Sequence, residues 1–139
     1  MMENTERGPS QHLMLIRNIE WDKNLSPDQL QGALTRFMDW VKTMDDAGIL
    51  AGAQPLAFSG KVVSGKGGAQ IADGPFAETK EAVGGYFLLN VADLDKAVEW
   101  AQKCPALEYG CQVEVREVIE KCAMQQRLDS MRTVGAAQG

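Results

Sequence analysis

The run Gly85-Tyr86-Phe87-Leu88-Leu89-Asn90-Val91 restricts the fold more than any other stretch of this sequence. A strand that faces water on one side alternates apolar with polar residues, and this run is apolar nearly throughout. It is therefore expected to be a core strand with both faces covered. Three other segments can pair with it. His12-Leu13-Met14-Leu15-Ile16-Arg17-Asn18 reads as a buried first strand. Ile49 to Phe58 carries Gly52 and Pro55 and reads as a bent or bulged strand near a sheet edge. Cys111 to Val118 alternates, with Val113 and Val115 on one face and Glu114 and Arg116 on the other.

Two helices separate these strands. Ser26-Pro27-Asp28-Gln29 carries an N-cap, a proline at the first helical position and a capping-box Gln, and Gly48 suits a left-handed stop. Between them Leu30, Leu34, Phe37, Met38, Val41 and Met44 recur at helical spacing and are expected to form the core face. Asp93 caps a second helix, with Leu94, Ala97, Val98 and Ala101 as its apolar stripe and Cys104-Pro105 at its end. Trp21, Trp40 and Trp100 read as packing or interface anchors.

The fold class is therefore α+β: a ferredoxin-like split β-α-β with both helices on one sheet face and a hairpin arm inserted. Lys61-Val62-Val63 and Ala69-Gln70-Ile71 form that arm around the glycine-rich Ser64-Gly65-Lys66-Gly67-Gly68. The segment nearly spells a phosphate-binding loop. Gly67 replaces the required Ser or Thr and no helix follows, which excludes nucleotide hydrolysis. With helices on one side only, the other sheet face is expected to meet a second copy as a two-fold homodimer.

Residues 1–11 read as a flexible leader, 12–118 as a single domain, and 119–139 as an extension with a short helix and a disordered end. A net charge of −5 with a pI near 4.9 argues against nucleic-acid binding. No apolar run is long enough to span a bilayer and no signal peptide is evident, so a cytoplasmic location is expected. Cys104, Cys111 and Cys122 lack paired metal spacing, and His12 is the sole histidine, so reduced thiols and no metal site are expected, and no cofactor.

Between arm and core strand, Asp73-Gly74-Pro75-Phe76-Ala77-Glu78-Thr79-Lys80-Glu81 resembles the DGPF-motif branch of the YCII-related protein family. The resemblance continues through Gly84-Gly85-Tyr86-Phe87-Leu88, Asp93-Leu94-Asp95, Ala97-Val98-Glu99-Trp100-Ala101, Cys104-Pro105 and Val113-Glu114-Val115-Arg116, covering nearly all of residues 12–118. It implies a dimeric α+β barrel in which two sheets pack face to face. It also implies a regulatory link to extracytoplasmic-function sigma factors. For the YCII branch it implies an enzyme site built on a His-Asp pair with the His on the first helix, and Leu30 to Gly48 holds no histidine.

The functional expectation is a small-molecule-binding or regulatory homodimer, with an unknown small molecule and a sigma factor as partners. The alternative is a cofactor-independent enzyme using Asp73 as acid or base in a barrel cleft. Asp73, at a rigid Asp-Gly-Pro reversal, is the candidate proton acceptor or ligand hook, and it also serves simply to close the turn. Glu78, Lys80 and Arg116 are the candidate ligand-binding residues, their charges set against a solvated-surface role.

Overall fold

The computed structural model describes residues 10–75 and 82–138, with side chains through residue 133. In chain order the elements are β1 (Gln11–Arg17), α1 (Pro27–Asp46), β2 (Leu50–Pro55), β3 (Lys61–Ser64), β4 (Gln70–Asp73), β5 (Val83–Asn90), α2 (Leu94–Ala101), β6 (Gln112–Glu117) and α3 (Ala123–Gln138). Strands β2-β5-β1-β6 form one antiparallel sheet in that order, and β3 pairs only with β4. Without the β3–β4 arm, the remainder is the ferredoxin-like β-α-β-β-α-β arrangement. β2 is an edge strand with a register shift between Leu50 and Gly52, the bulge its glycine anticipates.

Local chemistry starts and stops the helices. Ser26 Oγ accepts a hydrogen bond from the Gln29 backbone N–H at 3.1 Å, and the Gln29 side chain accepts from the Ser26 N–H at 2.9 Å. Together they satisfy two amides that the first turn leaves without helical partners. At the other end Gly48 takes φ +75°, where a side chain would be strained. Asp93 accepts from the Lys96 N–H at 2.9 Å and starts α2 in the same way.

The core lies between the sheet and these two helices. Met14 and Ile16 of β1 and Phe87 and Leu89 of β5 point to one side, where Trp40 and Met44 of α1 and Ala97 and Ala101 of α2 cover them. The alanines let α2 sit close to the sheet. Trp40 makes an edge-on contact with Phe87 at 5.3 Å and with Phe37 at 5.4 Å, and its indole N–H donates to the Trp100 carbonyl at 3.0 Å. That bond spares the buried ring an unpaired donor.

Several expectations are corrected. This chain itself covers β5 on one face only: its burial alternates, with Phe87 and Leu89 buried and Tyr86, Leu88 and Asn90 half-buried. The apolar pattern arises because the second face, though bare in this chain, is also apolar. The core side of α1 is Ala33, Trp40 and Met44, while Leu34 and Met38 are 51% and 54% exposed. The helix is rotated so that its indole meets the sheet, and the Leu-Met stripe is left beside a cavity. In α2, Leu94 and Val98 are likewise exposed. Gln11 belongs to β1 rather than to the leader, whose first nine residues lie outside the described ones. The C-terminal helix is longer than expected and runs to Gln138.

Candidate functional site

Asp73 ends β4, well exposed, and its carboxylate pairs with Lys61 directly across the hairpin. Both residues border an open depression with Phe58, Ser59, Gly60, Gly74 and Pro75. The Gly74 N–H donates to the Gly60 carbonyl at 3.0 Å, which ties the end of the arm to its beginning. Glu78 and Lys80 lie outside the described residues. Arg116 is exposed on β6, opposite Leu13, in a different sheet from Asp73. The fold therefore does not bring Asp73 and Arg116 into one cleft.

A second, more apolar concavity lies elsewhere. Between α1 and the sheet is a cavity of about 490 Å³. One wall is the α1 stripe of Leu30, Leu34, Met38 and Val41, and Phe37 and Phe87 form its inner end. Gly84 and Gly85 lie along the strand side, and the Trp21-Asp22 turn that precedes α1 closes the rim. Trp21 is held there by stacking on Tyr109, with ring centroids 5.7 Å apart. Tyr109 accepts a hydrogen bond from Arg36 at 2.6 Å.

Gly84 is needed for this shape. A Cβ there would come within 2.5 Å of the Ile19 Cγ2 atom, and Ile19 is itself buried at the cavity edge. Any side chain would push Ile19 aside. Among the described residues, Asp22 is the only carboxylate or cation on the lining; the rest is hydrocarbon, aromatic ring, amide and backbone. This is the composition of a small-molecule pocket: largely apolar, within the roughly 300–1,000 Å³ usual for such sites, with few polar groups to set orientation.

The model of the YCII-related domain matches residues 11–121. The chain belongs to the YCII-related family. No curated protein matches it significantly. The domain starts at the first residue of β1 and ends just past β6, so all of α3 of this YCII-related protein lies beyond it.

The face of the sheet away from the helices is also exposed apolar surface. Register places Leu13 and Leu15 of β1 beside Leu88 and Tyr86 of β5 on that side. Around them, Arg17 pairs with Glu114 at 2.7 Å and the Gln11 side chain donates to Asn90 at 3.0 Å. α3 does not cover this face: Met124 and Met131 are 73% and 63% exposed.

Groups with shifted proton affinity are found away from the cavity. The hydrogen bond between the Cys104 and Cys111 thiols pushes Cys111 up, with burial adding to the rise, and holds Cys104 below the usual thiol range against the opposing effect of burial. Both thiols are buried and free, as expected, and Cys122 is exposed and free. Asp46 raises Lys42, while Lys121, just before α3, and Asp129 on it favour each other's charged forms. His12 is buried in β1, with Nδ1 lacking a hydrogen-bond partner among the described residues. No group of His, Cys, Asp and Glu among those residues could hold a metal, and no helix there is long and apolar enough to cross a membrane.

Sequence reasoning missed the Trp21-Asp22 rim. One signal was present: α1 carries Leu30, Leu34, Phe37, Met38 and Val41 in addition to Ala33, Trp40 and Met44. That apolar arc is wider than one contact with a sheet consumes.

Proposed function

We propose that this YCII-related protein, of the DGPF-motif branch, is a small-molecule-binding homodimer with a regulatory role. The observation that carries the reading is the apolar cavity between α1 and the sheet, whose wall residues Leu34 and Met38 are left half in water. Exposed aliphatic side chains around a concave space gain by burial against a ligand, at about 25 cal/mol per Å² of apolar surface removed from water.

The bare sheet face supports the homodimer. Its leucines and Tyr86 form a flat apolar centre with charged and amide groups around it, the anatomy of a protein interface. The acidic chain supports regulation through a protein contact, a sigma factor being the partner implied by the resemblance, rather than through promoter DNA.

A thermal-shift ligand screen on wild type and Met38→Trp tests the reading. Met38 is exposed, so the indole can occupy the cavity mouth without disturbing the core. Compounds that stabilise wild type by mass action are expected to lose their effect in the variant. Stabilisation that is unchanged in Met38→Trp would place the ligand elsewhere and overturn the reading.

A further inference from the structure

We infer that the cavity selects apolar molecules that carry a protonated amine, with the Asp22 carboxylate as the countercharge. The inference rests on the cavity being a ligand site and adds the chemistry of its occupant. Asp22 is half-buried at the rim, and its carboxylate has no hydrogen bond or ion pair among the described residues. The other half-buried carboxylates among the described residues are paired within the chain: Glu20 with Lys23 at 3.6 Å, Glu114 with Arg17 at 2.7 Å, and Asp129 with Lys121 at 2.8 Å.

A carboxylate partly withdrawn from water without a partner is costly, and a cationic ligand supplies what the chain does not. The lining points the same way. No lysine or arginine among the described residues borders the cavity to receive an anion, while Trp21, Phe37 and Phe58 offer aromatic surface suited to both a hydrocarbon body and a nearby cation. An anionic ligand of the same shape would set like charge against Asp22.

Three probes with one hydrocarbon skeleton separate charge from shape: 4-phenylbutylamine, 4-phenylbutan-1-ol and 4-phenylbutyrate. They are titrated at neutral pH and fixed ionic strength, with Trp fluorescence as the readout. The amine is expected to bind tightest and the carboxylate weakest, with at least about a fivefold ratio between them, the scale of a partly exposed ion pair. Asp22→Asn is expected to bring the amine level with the alcohol and leave the alcohol unchanged, which also reports an intact cavity. Equal binding of amine and carboxylate in wild type, or an amine preference that survives Asp22→Asn, overturns the inference while leaving the ligand site standing. Failure of all three probes to bind removes both the site and the inference.

Discussion

The chain leaves two apolar surfaces uncovered, and they differ in shape. On the helix side of the sheet the surface is concave, about 490 Å³ in volume, and closed at one end by Phe37 and Phe87. On the other side Leu13, Leu15, Tyr86 and Leu88 make a flat patch set by the register of β1 and β5. Hydrophobic driving force per unit area is the same for both; geometry decides what can deliver it. A concavity surrounds a small molecule, whereas a flat patch loses its water only to another broad surface.

Four substitutions can break or sharpen that contrast. Trp40→Ala has the largest expected effect, because the indole fills the space beneath the concave side and bonds Trp100. It should lower stability by about 3–5 kcal/mol in urea unfolding. A smaller loss would mean that the core closes around the gap, and the cavity would then lack the rigid support assigned to it.

Leu88→Asp acts on the flat side alone. In the proposed dimer a carboxylate at the centre of this patch should weaken association by at least about a hundredfold in sedimentation, while circular dichroism of the subunit stays native. An unaltered dimer would show that some other surface pairs the chains.

Gly84→Ala targets the concave side with a single methyl group. The 2.5 Å approach to Ile19 forces a shift, and overpacking of this kind costs about 1–3 kcal/mol in urea unfolding. Asp73→Asn, in the separate depression that shares only Phe58 with the cavity lining, should cost less than about 1 kcal/mol, because an exposed pair with Lys61 is screened by water. It should also leave probe binding in the cavity untouched. A loss of ligand response there would return Asp73 to the binding site.

What was legible in the sequence was what short-range chemistry dictates. Ser26 with Gln29, Asp93 and Gly48 bond within a turn of themselves, so they mark helix ends whatever the rest of the chain does. Two of the strands were legible because Val113 and Val115 alternate and because Gly52 with Pro55 marks a bent strand near an edge. The cavity was illegible because it depends on how α1 is rotated about its axis. The eight apolar residues from Leu30 to Met44 fit two adjacent faces, and only tertiary packing assigns Trp40 to the core and Met38 to the rim. β5 was ambiguous for a related reason. Tyr86 and Leu88 are as apolar as Phe87 and Leu89, and composition does not say whether cover comes from the same chain. Asp22 carried no motif; its meaning comes from the apolar walls that folding places around it.

The most direct test is a two-dimensional amide NMR titration of the wild-type protein with the neutral probe 4-phenylbutan-1-ol. The account predicts saturable shifts at Trp21, Phe37, Met38, Gly84 and Gly85, with Leu13 and Leu15 on the flat side unmoved. Shifts centred on Leu13, Leu15 and Leu88, or no saturable shifts at all, would contradict it.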